Sequence, residues 1–164
     1  MDWMQAWELS SYVVTTLGLP LAVIIFVYQE QRERNNEEEE AYQMLSDAYI
    51  DFLKVVLDNA DLPLREPHSG RALDDEQRRR MQTIHEMLVS LFERAYLVAW
   101  TEDTEGAAAR RWASWDDYMR DWLSRDAFSA ELESLLRGED AAFRRHMLRL
   151  AEEVRRPTPG TVSA

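Results

Sequence analysis

Cysteine is absent from this 164-residue sequence, which excludes disulfides, thiolate metal ligands and cysteine nucleophiles and is compatible with a reducing cytosol. Glycine and proline are sparse, five of each, and the glycines are scattered, so no glycine-rich phosphate loop exists. Lys54 is the only lysine among 19 basic residues, the arginine bias of a GC-rich genome. No run alternates apolar and polar residues cleanly between turns, so no strand is expected, and there is no internal repeat. No basic residue occurs before Arg32.

What is present is acidic and aromatic. Net charge is −12, and beyond Tyr28 the 19 basic residues face 29 acidic ones, a net of −10. A domain this acidic is ill suited to nucleic acid or an anionic membrane face and favours basic or neutral partners. Six Trp, six Tyr and five Phe supply large areas for burial. Apolar residues make up 46%, enough for a real core in one modest domain.

Leu9 to Tyr28 is a run of 20 residues without a charge. As a helix it is about 30 Å long, the thickness of a bilayer's hydrocarbon core. Trp3 and Trp7 precede it and Tyr28 closes it, rings that suit the two interfaces. A cleaved signal peptide needs a basic start and a small-residue cleavage site, whereas Tyr28-Gln29-Glu30-Gln31-Arg32 follows here. The run therefore predicts a transmembrane helix at 9–28. Arg32 and Arg34 follow it, so the positive-inside rule puts residues 1–8 outside and the remainder in the cytoplasm, at the inner membrane of a bacterium. Gly18 and Pro20 permit a kink or a close helix contact, but both residues are common in spanning helices.

Residues 29–41 read as a charged juxtamembrane stalk, since no Gly or Pro occurs from Leu21 to Leu62. A helical bundle is expected over 42–156 and a disordered tail over 157–164. The first soluble helix covers Glu37 to Asp58, with Tyr42, Leu45, Tyr49, Phe52, Leu53 and Val56 on one face. Leu62 to Leu73 is a loop holding Pro63, Pro67 and Gly70. The second helix starts near Asp74-Asp75 and carries Met81, Ile84, Leu88, Leu91, Phe92, Ala95 and Val98. The third holds Trp112, Trp115, Met119 and Trp122, the fourth Phe128, Leu132, Leu135 and Leu136 up to Gly138, and the last Phe143, Met147, Leu150 and Val154. The fold class is thus all-α: three longer helices and two shorter ones behind an N-terminal span.

Tyr42-x-x-Leu45-x-Asp47-x-Tyr49-x-x-Phe52-Leu53 through Asn59-Ala60-Asp61-Leu62, then Trp112-x-x-Trp115-x-x-Tyr118-x-x-x-Trp122 with Phe128 and Gly138-Glu139-Asp140-x-x-Phe143, form a recurrent pattern. Over roughly residues 40 to 150, within the size range of one domain, the chain resembles uncharacterised bacterial membrane proteins with one or two N-terminal spans and a helical cytoplasmic domain. Where such proteins often carry Asn-Pro-Asp at the first turn, this chain has Asn59-Ala60-Asp61. The resemblance implies architecture and location and brings no activity or catalytic residue with it.

Chemistry-bearing residues are few. His68, His85 and His146 lack the one-turn spacing of metal ligands, which favours surface or bundle-edge positions. Asp47 and Asp51 share a helix face and read as a solvated pair. No metal, cofactor or catalytic constellation is expected, and the chain reads as no enzyme. Two features could contact a partner: the run Glu37, Glu38, Glu39 and Glu40, otherwise a solvated charge run, and the rings of Trp112 and Trp115, otherwise core. The leading expectation is a membrane-tethered helical interaction or regulatory module, held in the bilayer by 9–28 and contacting a protein partner or a second copy. The alternative is a self-assembling membrane effector of the bacterial defence type, acting through oligomerised spans.

Overall fold

The computed structural model describes residues 26, 28, 29, 39–68, 70–102 and 105–156. Its contacts divide the chain into two compact units, Met1–Ala41 and Tyr42–Ala164. In the first, Phe26, Tyr28 and Gln29 are helical, and Phe26 and Tyr28 are exposed. The expected span at 9–28, most of the stalk and the tail at 157–164 otherwise lie outside the described residues. No helix among the described residues is long and apolar enough to cross a membrane.

The described residues form five α-helices and no strand, arranged as a bundle. Helix α1 occupies 39–58, of which 42–58 belong to the second unit. It is followed by α2 (Asp75–Ala99), α3 (Gly106–Leu123), α4 (Asp126–Leu135) and α5 (Ala141–Arg155).

Local chemistry sets the helix boundaries. Asn59 ends α1 by donating its side-chain amide to the Val55 carbonyl at 2.9 Å, and Leu62 N–H closes the turn on the Asn59 carbonyl at 3.0 Å. A reciprocal capping box opens α2: Gln77 N–H donates to Asp74 Oδ1 at 2.8 Å, and Asp74 N–H to Gln77 Oε1 at 3.2 Å. Asp75 and Glu76 in its first turn suit the positive end of the helix dipole. Past α4, Gly138 has φ +91°, a left-handed conformation that turns the chain where a Cβ would be strained. Asp140 then caps α5, accepting from the N–H groups of Ala142 and Phe143 at 2.8 and 3.0 Å, and these bonds hold its carboxyl below the usual range.

Helix α3 is central, packed on α2, α4 and α5. Its Trp115, Met119 and Trp122 are fully buried, three and four residues apart on one face. Tyr49 of α1 meets Trp115 edge-on, Phe52 meets Trp122 edge-on, and the Trp122 indole N–H donates to the Tyr49 hydroxyl at 3.3 Å. Burial drives the Tyr49 pKa up. These rings weld α1 to α3. Phe92 of α2, Phe128 and Leu132 of α4, and Phe143 and Met147 of α5 complete the core.

One expectation is extended and two are corrected. Leu62 to Leu73 is more than a connecting loop: Leu62 and Leu64 are core residues, and Asp126 N–H donates to the Pro67 carbonyl at 3.0 Å, strapping the segment to the start of α4. Val98 is exposed, because the buried stripe of α2 continues from Ala95 to Ala99, which packs against the core, and leaves Val98 to one side. His85 and His146 are buried, not at the surface; each ring has a carboxylate beside it that lessens the cost of burial.

Candidate functional site

An apolar opening lies between α1 and α2. Two adjoining cavities share Val55 and Met87. One, about 350 Å³, runs from Val55 and Asn59 to Arg79, Arg80, Thr83 and Ile84. The other, about 480 Å³, runs from Ala48, Asp51 and Phe52 to Ser90, Leu91 and Arg94. Together they make one groove along the antiparallel pair, with an apolar floor.

The walls of this groove carry opposite charge. On α1, Met44, Asp47, Asp51, Val55 and Asp58 recur at three- and four-residue steps and so share a stripe. On α2, Glu76, Arg79, Thr83, Met87, Ser90 and Arg94 do the same. Asp51 is held by Lys54 at 2.7 Å, and Glu76 stands 4.0 Å from Arg80. Among the described residues Asp47, Asp58, Arg79 and Arg94 have no ion-pair partner within 4.0 Å. Among the residues that line the groove, Asp51 carries the charge on α1 and Arg79, Arg80 and Arg94 outnumber Glu76 on α2, with exposed Met87 between them.

One end of the groove is locked. Arg80 reaches from α2 across to the turn after α1, donating to Asn59 Oδ1 at 2.8 Å and to the Asp61 carboxylate at 2.5 and 3.3 Å. The guanidinium holds the Asp61 carboxyl below its usual range. The groove walls thus have a fixed spacing at that end.

Two buried polar groups lie elsewhere. His85 Nδ1 is 3.0 Å from Glu131 Oε2, with the ring edge-on to Phe128; burial lowers the His85 pKa against the opposing pull of Glu131. On the far side, Arg149 meets His146 Nδ1 at 2.8 Å. A guanidinium can only donate, so the ring proton sits on Nε2, 3.5 Å from Asp116 Oδ1. Arg120 bonds both Asp116 at 2.6 Å and Glu153 at 2.8 Å, tying α3 to α5. Burial pushes the Asp116 carboxyl up, but His146 and Arg120 outweigh it and leave the pKa lowered. The His85–Glu131 contact links α2 to α4, and His146 with Asp116 links α5 to α3. No group of three or more His, Asp or Glu among the described residues is placed to hold a metal ion.

Of the residues singled out from sequence, Glu39 and Glu40 are helical and exposed, while Glu37 and Glu38 lie outside the described residues. Trp115 is 2% exposed and belongs to the core, which leaves no ring face for a partner. Trp112 is half-buried, edge-on to Tyr96 and His146. The groove escaped sequence reasoning, although Ala48, Val55 and Met87 fall just beside the main apolar stripes, a widening of each helix face that signals a second contact. No family model, curated protein or solved structure matches this chain.

Proposed function

We propose that the chain is a membrane-tethered helical interaction or regulatory module that works through protein contact at the α1–α2 groove. The single observation that carries this reading is the groove itself: an open apolar floor with Asp51 on the α1 side and the exposed guanidinium groups of Arg79 and Arg94 on the α2 side. Exposed apolar surface rimmed by charge is the usual form of a protein contact site. The uncharged run Leu9 to Tyr28, with Arg32 and Arg34 after it, supports anchorage in the inner membrane of a bacterium with the bundle in the cytoplasm. In that setting the span localises the bundle and the groove does the recognising.

The test is a photo-crosslinking residue at Met87 in the full-length chain, expressed at its native level, followed by mass spectrometry of what is joined to it. A defined adduct through Met87, absent when the crosslinker sits at exposed Glu133 on α4, supports the reading. No adduct through the groove, together with a self-crosslinked ladder that needs residues 1–28 alone, overturns it in favour of an effector assembled through its spans.

A further inference from the structure

Five charged residues line the groove, and their pairing leaves a surplus of one sign. Asp51 is held by Lys54 at 2.7 Å, Arg80 is engaged by Asp61 and Asn59, and Glu76 stands 4.0 Å from that same guanidinium. Arg79 and Arg94 remain, both exposed and without an ion-pair partner within 4.0 Å among the described residues. Glu86, which falls between them on α2, lines neither cavity and accepts from the Gln82 amide at 3.1 Å. The groove is thus locally basic in a chain whose residues beyond Tyr28 include 19 basic and 29 acidic side chains.

The lining also has the period of a helix seat. On α2, Arg80, Ile84, Met87, Leu91 and Arg94 recur at alternating steps of four and three residues. On α1, Ala48, Asp51, Val55 and Asn59 follow at steps of three and four. Two lanes of that spacing, side by side, present the holes that receive the apolar side chains of a third helix. An extended peptide has nothing to pair with here, because the backbone groups of both walls are bonded within their own helices. Phe52, Ile84 and Leu91 are buried beneath, while Met87 is 45% exposed, a flexible side chain that follows the shape of an incoming surface. Arg79 and Arg94 are 15 residues apart on α2, about 22 Å at the usual rise, which four turns of a docked helix span.

We propose that the α1–α2 groove seats an amphipathic helix of another protein, apolar at three- and four-residue steps, with acidic side chains about 14 residues apart on the flank that lies along α2. This rests on the groove being the contact surface, and it names the chemistry of what that surface binds. The apolar face of the helix covers Val55 and Met87, and each acidic side chain meets one guanidinium, which binds a carboxylate through paired N–H donors. A basic helix with the same apolar pattern fills the floor but sets like charge against Arg79 and Arg94. Burial therefore supplies the affinity, and the two arginines select the partner.

The probe is a synthetic amphipathic helix of about 18 residues, with leucine at three- and four-residue steps and two glutamates about 14 residues apart on one flank. A second peptide carries lysine at those two positions. Each is titrated onto the full-length chain in zwitterionic nanodiscs with the photo-crosslinking residue at Met87, and the yield of peptide joined through it is measured. The lipid is the same in every arm, so partition of the peptides into it cancels between chain variants. The native chain should capture the glutamate peptide at about a tenfold lower concentration than the lysine peptide, since two exposed charge pairs change sign between them. Arg79→Glu/Arg94→Glu should reverse that preference; both residues are exposed, so the fold survives, which circular dichroism checks. Equal capture of the two peptides by the native chain, a preference that does not reverse in the variant, or capture of neither peptide overturns the proposal. In cells, an acidic amphipathic helix as the segment joined through Met87 supports it. A second copy, or a basic or extended segment, joined there means that the contact surface stands and this occupant fails; if nothing is joined, both fail.

Discussion

Arg80 on α2 and Asp61 in the turn after α1 are joined by two side-chain bonds, and the same guanidinium also holds Asn59. This clamp ties together Asn59 and Asp61 of the Asn59-Ala60-Asp61 turn and fixes how α1 returns into α2. Arg80→Ala should lower the melting temperature and speed hydrogen exchange over residues 59–64 while leaving α4 and α5 unchanged. The Asp61 pKa is lowered in the folded chain, so its contribution is complete above the ordinary aspartate value and lost as pH falls through the lowered one. Asp61→Asn should therefore be less stable than the native chain at pH 7, with the difference closing only in acid.

His85 gives a pH dependence in a milder range. Burial lowers its folded pKa below the ordinary histidine value, so the unfolded chain takes up a proton first as pH falls. Stability should be flat above about pH 6.5 and decline below it. His85→Leu should flatten that decline, read from melting temperatures between pH 7.5 and 5.5, values that bracket the histidine range. An unchanged slope in the variant would show that another group sets it.

Trp112 and Trp115 separate core from surface on one helix. Trp115→Ala opens a cavity in the centre of the bundle and should cost about 3–5 kcal/mol in denaturant unfolding. Trp112→Ala, half-buried at the helix start, should cost less than half as much. Similar losses at both would mean that Trp112 is as deeply packed as Trp115.

Glu139 is raised in pKa by burial and by Glu93 beside it, a like-charge neighbour at the α2–α5 junction. A raised carboxyl is no burden below its unfolded pKa and weakens the fold as pH rises through the folded value. Glu139→Gln should thus raise the melting temperature at pH 7, and the gain should shrink toward pH 4.5. A variant less stable at pH 7 would mean that Glu139 accepts a bond worth more than the repulsion.

The absence of native cysteine makes topology directly measurable. In intact spheroplasts, Gln5→Cys should react with a membrane-impermeant maleimide and Glu133→Cys should react only after lysis. The reverse pattern would place the bundle outside the cytoplasm.

Much of the architecture was legible because helical burial imposes a three- and four-residue period that side chains announce. Leu45, Tyr49, Phe52 and Val56 on α1, and Trp115, Met119 and Trp122 on α3, carry that period and are buried as it predicts. Asp74 and Asp140 marked helix starts, and Gly138 a helix stop, through chemistry local to a few residues. Other features depended on partners distant in the chain. Leu62 and Leu64 became core because the loop folds back over the bundle, where Pro67 meets Asp126. His85 and His146 became buried because Glu131 and Asp116, 46 and 30 residues away, stand beside them.

By itself the sequence determined the all-α class of the described residues, the helix boundaries and the main apolar faces, since each follows from periodicity and from capping groups within a turn. Only the tertiary structure decided that α1 and α2 leave a groove between them. It also decided that Arg80 of α2 reaches Asn59 and Asp61 in the turn after α1, because the relative height of two antiparallel helices is set by the turn that joins them and by the core they share.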